Sequence, residues 1–169
     1  MEVTKIFKWD CAHRLRYHQG LCRNIHGHTY KMEVSVEGKV NDAGMIIDFG
    51  DLKKLVNEVI INKVDHSLIL WVKDPLYKSL KRMDKRRKQP FNFRIYPLLG
   101  EPTAENMAKH FFRTLYTEIE RRRIPIILTK IKVWETPTSY AQYDITDYTT
   151  DFSFMVTETE HWRYVYESE

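Results

Sequence analysis

The sequence predicts an α+β fold: a four-stranded antiparallel sheet with two helices packed on one of its faces. Three observations predict it. Two early stretches alternate apolar and polar residues with the period of a strand, two middle stretches repeat with the period of a helix, and two late stretches return to alternation. The order is therefore strand, strand, helix, helix, strand, strand. Short links between consecutive strands favour antiparallel pairing and leave both helices to cover one face. The 169 residues have the length of one domain, expected to span 1–169, with a core burying roughly two-thirds of the unfolded surface.

The first strand is expected over residues 3–13, where Val3, Phe7, Trp9, Cys11 and His13 share a face and Lys5 is the exception. The second runs over 28–36, with His28, Tyr30, Met32, Val34 and Val36 on one side and Thr29, Lys31, Glu33 and Ser35 on the other. Residues 37–44 read as a turn-rich connection. Leu52, Leu55, Val56, Val59 and Ile60 predict a helix over 51–63, with Asp48 or Asp51 able to cap it. A second helix is expected from Ala104 to Arg122. Its stripe is Ala104, Met107, Ala108, Phe111, Leu115 and Ile119, its N-cap is Thr103, and Arg121-Arg122-Arg123 suits the negative end of its dipole. Residues 126–136 form a third strand with Ile127, Thr129, Ile131, Val133 and Glu135 on one face, and a fourth follows around 140–148.

Charge is unevenly spread. The net charge is only +4, yet residues 71–99 carry nine Lys/Arg against two Asp, and residues 144–169 carry seven Asp/Glu against one Arg. With Pro75, Pro90 and Pro97 in it, 71–99 reads as a basic insertion between the helices, and 144–169 reads as an acidic extension. No apolar run approaches the ~20 residues that span a bilayer, and Met1 to Lys8 lacks the apolar stretch of a signal peptide. Cys11 and Cys22 are too few for a disulfide framework. The expectation is a cytoplasmic protein with free thiols and no membrane partner.

Histidine placement carries the chemistry. His26 and His28 flank Gly27, so two imidazoles point the same way from an extended chain, and the glycine keeps the space between them open. Antiparallel pairing of the first two strands would bring His13 beside them. Three neutral imidazoles without a fourth protein ligand describe a catalytic zinc site with an open position, whereas a lone His-Gly-His is also a common surface turn. Cys22, four residues before His26, reads equally as a fourth ligand closing a structural site, as a thiolate beside an open one, or as an inert small residue. Asp65-His66 follows the first helix, where an Asp can orient an imidazole into half of a proton relay. Glu135 ends an apolar strand face. It needs a cationic partner there, serves a ligand with two N–H donors, or stands exposed at the strand end.

In this order the pieces resemble the 6-pyruvoyltetrahydropterin synthase / 6-carboxytetrahydropterin synthase family. The matching stretches are Ala12-His13, Cys22-Arg23-Asn24-Ile25-His26-Gly27-His28-Thr29-Tyr30, Gly44-Met45-Ile46-Ile47-Asp48-Phe49-Gly50-Asp51-Leu52, Asp65-His66, Pro102-Thr103-Ala104-Glu105-Asn106 and Val133-Trp134-Glu135-Thr136, with Ala141 and Tyr143. The resemblance implies the tunnelling fold, in which two plus two antiparallel strands and a helix pair assemble into barrels, with a hexamer favoured. It implies that His13, His26 and His28 bind zinc, that Cys22 is the general base assisted by Asp65 and His66, and that Glu135 holds the pterin ring.

The Arg23-Asn24-Ile25 spacer looks like the carboxy-forming branch. It implies conversion of 7,8-dihydroneopterin triphosphate to 6-carboxytetrahydropterin, acetaldehyde and triphosphate in 7-deazapurine (queuosine-type) biosynthesis. The chain departs from the pattern at Cys11, where relatives usually carry a small residue, and at Ile69-Leu70, where Leu-Asn is common. The nearest rival reading is the pyruvoyl-forming synthase. A rival of another class is a nucleic-acid module built on Lys78, Lys81, Arg82, Lys85, Arg86, Arg87 and Lys88 with Trp71, Tyr77, Phe91 and Phe93 as stacking surfaces. A solvated basic loop is the plainer reading of that segment. Pairing of the basic segment with the acidic tail and a closed structural zinc site are the remaining alternatives.

Overall fold

The computed structural model describes residues 1–85 and 93–156. Strand β1 (Glu2–His13) and strand β2 (His26–Glu37) pair antiparallel along their whole length, from Glu2 opposite Glu37 to His13 opposite His26. Helix α1 (Phe49–Val56) begins with Asp48 as its cap, whose carboxylate accepts from the Gly50 N–H at 2.6 Å. It continues through a π-helical turn, Asn57–Ile61, into the short α2 (Asn62–Val64). Then come β3 (Leu68–Trp71), α3 (Pro75–Lys85), β4 (Ile95–Leu98), α4 (Ala104–Arg122), β5 (Ile127–Thr136), β6 (Ser139–Asp144) and α5 (Ile145–Val156).

Among the described residues the sheet has six strands in the order β4-β3-β1-β2-β5-β6, where the sequence predicts four. The expected antiparallel set β1, β2, β5 and β6 is present. The two additional strands pair parallel, β3 beside β1 and β4 beside β3. Each has four residues, too few to display an alternating pattern. Leu68-Ile69-Leu70 reads as a continuous apolar run because a parallel strand is covered on both sides. Residues 71–99, expected as an insertion, thus contribute Trp71 and all of β4 to the sheet, with α3 as the crossover between them. Arg86, Arg87, Lys88 and Phe91 lie outside the described residues, as does the acidic tail from residue 157, so the proposed pairing of basic segment and tail does too.

Two further expectations shift. The fourth strand ends at Asp144, not at 148, because the Asp144 carboxylate accepts from the Thr146 and Asp147 N–H groups and starts α5. On β5 the register against β2 slips between Ser35 and Val36, where Thr129 is the extra residue. Leu128 is therefore buried and Ile127 exposed, the reverse of what an uninterrupted alternation from Ile131 predicts.

One apolar layer lies between the sheet and the helices. Phe7, Trp9, Tyr30, Met32, Val34 and Val36 meet Leu52, Val56 and Ile60 from the first helical segment and Met107, Phe111 and Leu115 from α4. The opposite sheet face is polar: Lys31 rides 3.9 Å above the Trp134 ring, and Glu33 accepts from the Trp134 indole and pairs with Lys31. Among the described residues no helix is long and apolar enough to cross a membrane.

Candidate metal centre and active site

Strand period and register bring the three predicted histidines together. His13 is the last residue of β1 and faces His26, the first of β2, while Cys11 faces His28. Residues two apart share a side of an extended chain, so all three imidazoles gather at one end of the buried face. Their candidate ligand nitrogens lie within 4.8 Å of one another. Gly27 permits the close pairing, since a Cβ there would sit 3.3 Å from the Cys11 carbonyl oxygen.

Backbone carbonyls select the tautomers. His13 Nδ1 is 2.7 Å from the Pro102 carbonyl, and His26 Nδ1 is 2.9 Å from the Asn24 carbonyl. A carbonyl only accepts, so each Nδ1 carries the proton and each Nε2 is a bare acceptor. These two Nε2 atoms stand 3.2 Å apart. Two lone pairs facing each other at that distance repel unless a cation sits between them. His28 Nε2 is buried and has no hydrogen-bond partner. Burial lowers the pKa of His13 and of His28, which keeps both in the neutral, ligating form. The residues present therefore fit a metal ion held by three Nε2 atoms.

Neither cysteine belongs to the ligand group. Cys22 stands on a one-turn 3-10 helix (Leu21–Arg23) and is half-buried. The three histidines gather without it, which is the arrangement of an open site. Cys11, on the His13 face, is buried, receives the Trp9 indole N–H at 3.2 Å, and has its thiol pushed up to about 12 by burial. It remains a thiol inside the core.

Glu135, near the end of β5, does reach the cluster. Its Oε1 lies 3.4 Å from His13 Nε2 and 4.0 Å from His28 Nε2, and accepts the Tyr30 hydroxyl at 3.4 Å. Among the described residues no Lys or Arg pairs with it. The carboxylate thus keeps capacity for outside donors, and its side chain is 30% exposed.

Asp65 and His66 occupy the corner after α2. Their side chains meet at 3.0 Å, His66 Nδ1 to Asp65 Oδ1. The His66 N–H donates to the Asp10 carbonyl at 2.7 Å, and the Asp65 carboxylate accepts from the Asp10 N–H at 3.2 Å. His66 takes a left-handed φ of 54°, an uncommon state for a non-glycine. Burial works to raise the Asp65 pKa, but the Asp10 N–H and His66 outweigh it and hold the carboxyl below its ordinary value. His66 and His28 line one cleft of about 490 Å³, floored by Asp10, Ala12, Gly27 and Thr29. Among the described residues no hydrogen bond joins His66 or Asp65 to Cys22.

Sequence reasoning missed the supporting residues: the carbonyls of Pro102 and Asn24, the Tyr30 hydroxyl, and the pairing of Arg14 with Asp74 at 2.8 Å. Pro102 and Tyr30 lie inside matched stretches, which is a signal that they matter and none about how.

Comparison with known proteins identifies the family. The family model described as 6-pyruvoyl tetrahydropterin synthase matches residues 2–146. The 6-carboxy-5,6,7,8-tetrahydropterin synthase of Haemophilus influenzae is 33% identical over 146 residues, covering 84% of this chain and 97% of its own. A putative 6-carboxy-5,6,7,8-tetrahydropterin synthase of Pyrococcus horikoshii is 35% identical over 146 residues, covering 82% and 87%. Among solved structures, the uncharacterized protein WS1659 of Wolinella succinogenes superposes with a TM-score of 0.72 at 21% identity over 86% of this chain and 98% of its own. The 6-pyruvoyl tetrahydropterin synthase of Caenorhabditis elegans gives 0.59 at 24% identity over 85% and 94%.

Proposed function

Because the chain belongs to the 6-pyruvoyl tetrahydropterin synthase family, we propose that it is the carboxy-forming member: a zinc-dependent lyase that converts 7,8-dihydroneopterin triphosphate and one water to 6-carboxy-5,6,7,8-tetrahydropterin, acetaldehyde and triphosphate, in 7-deazapurine biosynthesis. The convergence of three imidazole nitrogens, two of them bare acceptors, beside one open carboxylate carries the reading. The names of the relatives at 33% and 35% identity support the branch.

His13, His26 and His28 would hold the ion, and zinc would supply a Lewis acid for the side-chain oxygens of the substrate. Glu135 accepts two N–H donors from the pterin edge and fixes the ring. Cys22, on its single turn before His26, takes the proton from the carbon beside the polarised oxygen. His66, oriented by Asp65, passes that proton on. The Asp65 carboxylate is suited to this because it stays ionised and accepts from Asp10 and His66 together. The working form is a cytoplasmic homo-oligomer, a hexamer by family resemblance, of single-domain chains with no nucleic-acid partner.

Incubation of zinc-loaded protein with 7,8-dihydroneopterin triphosphate should release acetaldehyde in step with a 6-carboxytetrahydropterin identified by mass. A pyruvoyl product without acetaldehyde would move the protein to the other branch. Cys22→Ala should keep about one zinc per chain and lose turnover by about 10²–10⁴-fold. Loss of the metal would instead make Cys22 a ligand.

A further inference from the structure

The Tyr30 hydroxyl stands between two acceptors and has one proton to give. It lies 3.3 Å from His13 Nε2 and 3.4 Å from Glu135 Oε1. Tyr30 is fully buried. Its ring is fixed by stacking on Trp9 at 5.2 Å and 10° and by the edges of His13 and His28 at 5.9 and 5.5 Å. The hydroxyl therefore cannot swing to a third partner. His13 Nε2 is bare because Nδ1 serves the Pro102 carbonyl.

We propose that Tyr30 is a positioning residue that couples metal loading to recognition of the pterin ring. In the metal-free chain the hydroxyl proton is shared between His13 Nε2 and Glu135. Once a metal ion takes the Nε2 lone pair, Glu135 Oε1 is the acceptor left within reach. The carboxylate then gains an undivided hydrogen bond that fixes its rotamer and leaves its remaining lone pairs aimed at the ligand's N–H groups. Metal and pterin thereby strengthen each other's binding, and by linkage the factor is the same in both directions. The inference rests on the proposed roles of the histidines and Glu135 and adds the residue that joins them.

The test uses 6-methylpterin, which has the ring edge for Glu135 but no side-chain hydroxyl for the metal. Its binding is followed by fluorescence titration of wild type and Tyr30→Phe, each zinc-loaded and zinc-free, with zinc content measured in parallel. Wild type should bind the probe about tenfold more tightly when loaded, the value of one hydrogen bond to a charged acceptor. Wild-type zinc affinity should rise by the same factor when the probe is present. Tyr30→Phe should keep its zinc and bind the probe equally in both states. A variant that retains the tenfold difference, or wild type that never has it, overturns the coupling and leaves the proposed reaction standing. A variant that loses zinc also overturns it, because Tyr30 would then be propping the ligands. Failure of loaded wild type to bind the probe at all overturns the pterin role of Glu135 as well.

Discussion

An imidazole can offer a metal only the nitrogen that its other nitrogen leaves free, so the carbonyls of Pro102 and Asn24 decide the chemistry of His13 and His26 as much as the strands do. The gathering of the three histidines was legible in the sequence because strand period two is a local rule. The Pro102 carbonyl was not, because it meets His13 across 89 residues of chain and a carbonyl has no sequence letter. His110 shows the same physics away from the site. Burial first, then the charges of Arg113 and Lys63, hold its pKa at about 4, and its Nε2 lies 2.8 Å from the Tyr96 hydroxyl. In the unfolded chain the group titrates near its ordinary value of about 6.5. Between that value and about 4 the unfolded state binds the extra proton, so the stability from neutral His110 is complete above the window and is lost as pH falls through it. Urea unfolding of wild type should therefore show a loss from pH 6.5 to pH 5 that exceeds the loss in His110→Gln by up to roughly 2 kcal/mol. Equal losses would mean that His110 is not neutral in the folded chain.

At the scale of elements, long alternating strands announced themselves and short covered ones did not. β1 and β2 have twelve residues each and were legible, whereas β3 and β4 have four each and were not, β3 lying just before and β4 inside a segment read as an insertion for its charge and prolines. That segment supports the approach to the site. Asp74 is buried. It takes Arg14 through two contacts of 2.8 and 3.2 Å and accepts from the Leu76 N–H to start α3. Arg14 directly follows His13, and the Arg16 N–H is held by Glu101 from the loop that presents Pro102. The turn that leads to Cys22 is thus pinned from both sides. Asp74→Ala leaves a half-buried guanidinium without its partner and a helix start without its acceptor. It should cost about 3 kcal/mol in urea unfolding. Amide exchange should quicken over residues 14–20 while β2 and β5 hold. Unchanged exchange in that turn would make the pair a local brace of α3 alone.

At the scale of the whole molecule the sheet is unfinished. Among the described residues its outer strands, β4 and β6, each have a neighbour on one side only, and open edges invite pairing with another chain unless they are covered. The face away from the helices is a charged and aromatic surface, not a second core layer, with Lys132 4.3 Å above the exposed Tyr140 ring. The side chains of His66 and Asp65 are 75% and 40% exposed, far more open than a proton relay that must exclude water. Helix α5 lies mostly beyond the family match. It is fastened to its own chain by Asp151, which takes Lys109 at 2.7 Å, Arg113 at 3.2 Å and the Tyr143 hydroxyl at 2.6 Å. The polar face of β2 was legible in its alternation, and the resemblance implied assembly; the edge strands and the Asp151 contacts were not legible, because they are properties of a completed sheet. The proposed assembly, closing several such sheets edge to edge, would abolish the open strands and cover the Asp65–His66 pair in one step. The proposed hexamer should sediment as six copies of 20.4 kDa, about 122 kDa, and turnover per chain should fall on dilution through the dissociation range. A monomer of full specific activity would show that one chain suffices and that the open edges serve no assembly.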